Sequence, residues 1–168
     1  MISVPIGAAR FNYRTAAAII HDEHVLLHRA LYEDFWALPG GRVEILENSR
    51  NALARELVEE LGPAVNVRIE RLLWVVENFF TDEGTAHHEL GMYYLARLDE
   101  PSAYLAKDRD YFGIEKDLSL QNTPIKLLFR WFPLSELAQA RLYPAFLRTQ
   151  LTDLPAFPEH LVHVDTDE

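Results

Sequence analysis

GRVEILENSRNALARELVEELGP, residues 41–63, decides how this chain is read. It opens on a glycine turn and runs into a stretch of helical rhythm carrying Glu56, Glu59 and Glu60. On a helix, positions three and four apart share a face. At roughly 100° per residue the three carboxylates span about 100° of the circumference. Leu53, Ala54, Leu57, Val58 and Leu61 are expected to fill an arc on the other side. Asn48 or Ser49 supplies the N-cap and Gly62 the C′ residue, which predicts a helix near 49–61. Taken alone, three glutamates describe an amphipathic surface helix with a solvated acidic face. Acid on one face and apolar packing on the other also suits a metal-bearing helix docked on a core.

The frame around the glutamates separates the two readings. Gly41, Glu47, Arg55-Glu56, Leu57, Glu59-Glu60 and Gly62 stand at the spacing of the Nudix box, and the stretch resembles that of the Nudix hydrolases. At about 7% usage per residue type, the seven fixed letters coincide by chance about once in 10⁸ starting points. One position departs: the box closes on an aliphatic residue, and Pro63 stands there. Proline after a helix-ending glycine is ordinary stop chemistry, so the change is expected to alter the entry to the next strand and leave the chemistry in place.

Composition narrows the setting. A chain of 168 residues is long enough to bury its own core. It is expected to form one domain, its core about 13–150 with a tail at 152–168. A formal net charge of −10 argues against nucleic-acid polymers and anionic membranes, both of which need a basic footprint. A small polyanionic substrate stays compatible if a divalent cation screens the site. No cysteine is present, which excludes disulfides, thiolate catalysis and cysteine-based zinc sites. The opening MISVPIGAAR lacks a basic start followed by an apolar core, and no run reaches membrane-spanning length. A cytoplasmic location is the default expectation.

Residues 13–20 and 25–29 read as a hairpin around HDEH. His24 and His28 have metal-ligand spacing on a helix only; on a strand they are too far apart. Pro39-Gly40-Gly41 lets the backbone turn sharply before the helix. Arg29, at the end of the second strand, is a candidate phosphate contact or a plain solvent-exposed arginine. Residues 65–80 and 87–98 are expected to be strands joined by a turn at 81–86. The stretch 99–124 is irregular, and a segment of that kind is usually functional or mobile. A strand should run from 126 into a short helix, a second helix should cover Leu142 to Leu151, and 160–164 is a candidate tail strand. His160 and His163 have the bland reading of exposed tail histidines. The pattern fits an α/β fold, and the resemblance implies the Nudix fold, an α/β/α sandwich with a mixed β-sheet.

Clustered carboxylates repel one another unless a cation sits among them, and hard cations prefer such oxygen ligands. The resemblance implies Mg²⁺ or Mn²⁺ held by Glu56, Glu59 and Glu60 with the carbonyl of Gly40 or Gly41. Glu47 and Arg55 are implied to brace the loop against the helix, a structural role shared with Gly62. The implied reaction is attack of water on a pyrophosphate bond, with positioning and charge compensation supplying most of the catalysis. For the general base, one place used in the family lies just before the tryptophan of the last strand. Here that residue is Arg130, which cannot serve. Glu115 is the best candidate outside the box, followed by Glu77 and Glu89; failing these, Glu59 or Glu56 must orient the water.

The region that carries substrate signatures in the family reads Asn78-Phe79-Phe80, and matches neither the ADP-ribose nor the diadenosine-polyphosphate pattern. Phe79 or Phe80 is a candidate for stacking on a base. A nucleoside diphosphate linked to a sugar or similar group is the first expectation, and a nucleoside triphosphate the second. A non-hydrolytic Nudix-fold nucleotide-binding or regulatory module is the alternative, disfavoured by the intact glutamates. An isoprenoid-diphosphate isomerase would need a cysteine. Many members of the family pair, so a homodimer is one expected arrangement.

Overall fold

In the computed structural model, residues 1–115 and 124–165 are described; 116–123, inside the irregular segment, and 166–168, at the end of the tail, lie outside the described residues. In chain order the strands are β1 (Ser3–Ile6), β2 (Ala9–His21), β3 (His24–Ala30), β4 (Gly40–Arg42), β5 (Val67–Asp82), β6 (Thr85–Leu98), β7 (Tyr111–Glu115), β8 (Ile125–Pro133) and β9 (Glu159–Val164). Helix α1 (Ser49–Leu61) follows β4, and the short α2 (Leu147–Gln150) precedes β9. The sheet runs β7-β8-β3-β2-β6-β5-β9, with β1 and β4 paired to β2.

Two tight turns set the hairpins. Asp22 and Glu23 take φ of +43° and +58°, and Glu83-Gly84 take +45° and +77°. Both pairs are left-handed, as a two-residue hairpin turn requires. Beyond its hairpin, β2 leaves β3 and runs parallel to β6 from Ala9↔Ala86 to Ile19↔Ala96. The segment before α1 fills the opening. His28 bridges Ala37 on the β3 side, and Gly40–Arg42 pairs with Arg14–Ala16 on the β2 side.

Apolar layers lie on both faces. Leu53, Leu57 and Leu61 of α1 pack with Ala17, Ile19, Leu26, Phe129 and Trp131. On the opposite face Trp36, Leu137, Leu142, Leu147 and Leu151 pack over Ala16, Leu27, Trp74 and Tyr93. Each fully buried leucine contributes about 1.5–3 kcal/mol. The result is the expected α/β/α sandwich on a mixed sheet.

Local differences have physical causes. The second helix covers Leu147–Gln150 in place of Leu142 to Leu151. Pro144 has no amide hydrogen and biases its predecessor toward extended backbone, so the helix starts after it. The tail strand forms, and it joins β5 in parallel register from Trp74↔Glu159 to Phe79↔Val164. The irregular segment contains β7, paired with β8. Among the described residues no helix is long and apolar enough to cross a membrane.

Candidate active site

The glycine turn and α1 close on each other at van der Waals limits. A Cβ on Gly41 would stand 2.3 Å from Glu56 Cδ, and one on Gly40 would stand 2.2 Å from the Thr15 carbonyl oxygen. Gly40 also takes φ of +143°, a conformation that side chains disfavour. Its N–H donates to Glu60 Oε2 at 3.2 Å, which ties the loop to the last turn of the helix. The helix is capped at both ends: Asn48 accepts from the Asn51 N–H at 2.9 Å, and the Gly62 N–H donates to the Val58 carbonyl at 2.9 Å.

The buried arc of α1 differs from the expected one. Glu56 and Glu60 lie inside it, 7% and 3% exposed, together with Ala52, Leu53, Leu57 and Leu61. Ala54 and Val58, expected to be packed, are exposed. Glu59 sits at the edge of the arc with its side chain 41% exposed. Long-range contact causes the rotation, because β4 and β7 cover the carboxylate side of the helix. A Cβ on Gly113 of β7 would stand 2.0 Å from the Glu60 carbonyl oxygen.

Arg55 organises the outer part of the site. Its Nε and Nη2 fork onto Glu47 at 3.1 and 2.9 Å, Nη2 also donates to the Arg42 carbonyl, and Nη1 reaches Glu56 Oε1 at 2.8 Å and Glu59 Oε2 at 3.5 Å. The Arg55 contact holds the Glu47 carboxyl below its ordinary value. Deeper in, balance is lacking. Burial pushes Glu60 well above the usual carboxylate range, and repulsion from Glu115 and Glu56 adds to it; Arg14 and the Gly40 N–H oppose it. Burial also raises Glu56, against Arg55. His28 Nδ1 lies 3.4 Å from Glu60 Oε1 without hydrogen-bond geometry. Burial, then repulsion from Arg14, pushes its pKa down to about 3, so the ring is neutral.

The other sequence candidates separate by face. Glu115, on β7, is close enough to Glu60 for their charges to repel. Glu77 is on the surface between His160 at 2.9 Å and His88 at 3.8 Å. Glu89 is buried on the opposite side of the sheet beside Arg14. Arg29 lies over the Trp36 ring, 5.2 Å from its centroid, and donates to the Glu33 carbonyl. Trp36 belongs to the layer opposite α1, so Arg29 is directed away from the box carboxylates. Phe79 stacks on His88 and Phe80 on His87, at centroid distances of 4.5 and 4.7 Å. Arg130 forks onto Asp110 at 2.7 and 2.6 Å.

Sequence reading missed Arg14, which interacts with Glu60 and Glu115 on one side and with Glu89 and Tyr93 on the other. It also missed the inward direction of His28. Neither residue stands in a motif; both are placed by sheet register.

Among the described residues no three His, Cys, Asp or Glu side chains are gathered tightly enough to hold a metal ion as they stand. The donor chemistry nonetheless fits a hard cation. Glu56, Glu60 and Glu115 offer oxygen alone, and their mutual repulsion is what a divalent cation relieves. The bare Cα of Gly41 keeps the loop against Glu56.

A glycine loop and carboxylate helix on a mixed α/β/α sandwich define a class, and the comparisons agree with it. The NUDIX domain model matches residues 12–153, and the chain belongs to that family, the Nudix hydrolases. Over 94 residues it is 34% identical to diphosphoinositol polyphosphate phosphohydrolase 2 of Rattus norvegicus, covering 56% of this chain and 51% of the relative. The chain thus spans about half the length of the curated relatives it matches. A MutT NUDIX hydrolase from Burkholderia pseudomallei superposes with a TM-score of 0.54 at 26% identity, covering 82% of this chain and 95% of the other. A UDP-X diphosphatase shares the fold with a TM-score of 0.57 at 22% identity, covering 89% of this chain and 66% of the other.

Proposed function

We propose that this chain hydrolyses a pyrophosphate bond in a small nucleotide, a nucleoside diphosphate linked to another group or a nucleoside triphosphate, with Mg²⁺ or Mn²⁺. The observation that carries the reading is the pair of buried carboxylates, Glu56 and Glu60, held against a glycine loop with too little counter-charge. Structural acids are seldom buried in this way. Glu56, Glu59 and Glu60, with the carbonyl of Gly40 or Gly41, would hold the cation. It would supply charge compensation to the phosphate oxygens and make a bound water more acidic.

The chain's own residues do the rest. Arg55 fixes Glu47 and Glu56 so that the loop cannot drift from the helix. Glu115, across from Glu60, orients the attacking water and takes its proton. The activities of diphosphoinositol and UDP-X relatives support pyrophosphate cleavage as the reaction class. The test is Mg²⁺-dependent phosphate release, coupled to a phosphatase, across nucleotide sugars, dinucleotides and triphosphates. Release from at least one of these, lost in Glu59→Gln, supports the reading. No release from any favours a nucleotide-binding module.

A further inference from the structure

The two oxygens of Glu60 meet different neighbours. Oε2 accepts from the Gly40 N–H at 3.2 Å, whereas Oε1 faces His28 Nδ1 at 3.4 Å. Both side chains are buried, and His28 Nδ1 has no hydrogen-bond partner. A buried polar atom without a partner is costly, because it has left water and gained nothing in return. Here the unpartnered atom stands directly in front of a carboxylate oxygen.

Packing fixes where the ring points. His28 exchanges both backbone hydrogen bonds with Ala37 at 2.9 Å, which joins β3 to the segment entering the glycine loop. The imidazole lies against Phe129 of β8, with centroids 5.4 Å apart and 37° between the planes. Gly113 lets β7 close on that phenyl ring and on the Glu60 carbonyl together. A neutral imidazole carries a single N–H. The other polar neighbour of the ring, the Leu38 carbonyl, already accepts from Arg14 Nη2 at 3.3 Å. The one proton is therefore left for Glu60. An ordinary N–H···O length of about 2.9 Å lies within side-chain motion of about 0.5 Å.

We propose that His28 is a positioning residue: with its proton on Nδ1 it donates to Glu60 Oε1 and, opposite the Gly40 N–H, sets the plane of that carboxylate for the cation. The inference rests on the reading of Glu60 as a cation ligand. An ionised carboxylate draws an N–H donor more strongly than a neutral one, so the contact is worth most when a cation is bound. The glycine loop, β3 and α1 then meet at one carboxylate, and His28 carries the β3 side of that junction.

The experiment is calorimetric titration of Mn²⁺ into the intact parent protein, Glu60→Gln, His28→Leu, His28→Gln and His28→Asn. Each is also melted in cation-free buffer. The amide nitrogen of asparagine stands close to the place of Nδ1, and that of glutamine close to the place of Nε2. His28→Leu and His28→Gln should bind Mn²⁺ at least about tenfold more weakly, the usual cost of removing a group that orients a metal ligand. His28→Asn should keep most of the affinity, which a ring that only fills space would not allow. Cation-free His28→Leu should melt within a few degrees of the parent, since hydrocarbon replaces an unpartnered nitrogen. If the leucine variant does not fold, the asparagine and glutamine variants carry the same comparison. Nitrogen-15 spectra of the Mg²⁺-loaded protein should show one histidine, missing from His28→Asn, with its proton on Nδ1. Unchanged affinity in His28→Leu and His28→Gln, equal loss in His28→Asn, or a proton on Nε2 overturns the proposal. The two readings fail in different patterns. Mn²⁺ binding that is absent from the parent, or unchanged in Glu60→Gln, sinks the cation site and this inference with it. Binding that needs Glu60 and not His28 sinks this inference alone.

Discussion

Gly41 and Glu56 are fitted so closely that a single methyl group on the glycine would stand 2.3 Å from the Glu56 carboxyl carbon. The carboxylate is the free end of a side chain, yet it is buried and held at 2.8 Å by Arg55. Gly41→Ala should therefore displace the carboxylate with little damage to the core. Turnover should fall roughly 100-fold or more, as for loss of a positioned catalytic group. The melting temperature should drop by only a few degrees, matching a cost of about 1 kcal/mol. Steady-state kinetics beside a thermal melt separates the two effects.

Glu60→Gln keeps the shape of the side chain and removes a charge that burial disfavours. In metal-free buffer this variant should melt no lower than the parent, while Mg²⁺-dependent turnover falls by about 100-fold or more. Glu59→Gln should lose turnover to a similar degree. Full activity in both would contradict their assignment to the cation.

Arg55→Lys preserves charge and discards the planar fork that reaches Glu47 and Glu56 together. A destabilisation of about 2 kcal/mol is expected, the worth of charge-assisted bonds at a partly buried site. Urea unfolding of the two proteins measures it directly.

Burial, opposed by Arg14 and Arg42, holds the Glu89 carboxyl above its ordinary value of 4.5. A carboxyl with a higher pKa folded than unfolded favours the fold while it keeps its proton. That contribution is complete below the ordinary value and is lost as pH rises through the raised one. Glu89→Gln should therefore flatten the fall in melting temperature as pH rises above the ordinary value of 4.5. An unchanged slope would show that Glu89 ionises in the fold as freely as in water.

Much of the helix was legible because its signals are local. Asn48, Gly62 and the spacing of Glu47, Arg55 and the three glutamates each sit within reach of their partners along the chain. The hairpins were legible for the same reason. What escaped depends on contacts between distant segments. Burial of Glu56 and Glu60 follows from β4 and β7 closing over the helix, which no periodicity records. Arg14 meets Glu89 only because β2 lies parallel to β6 at one register, and a one-residue slip would turn it to the other face. Pro144 shortens the second helix to Leu147–Gln150, because it lacks an amide hydrogen and restrains the residue before it, whereas the apolar spacing of Leu142 to Leu151 alone suggests a longer one.

Strand β2 is the spine that four others share, since β1, β3, β4 and β6 all pair with it. Neither half of the sheet can melt while the other stays whole, because both lose their common rail. Amide protons at Ala16 to Ile19 should then exchange only through complete unfolding, whereas those of β7 at the far edge should exchange sooner through fraying. A wound anywhere along that rail is felt by the whole molecule at once.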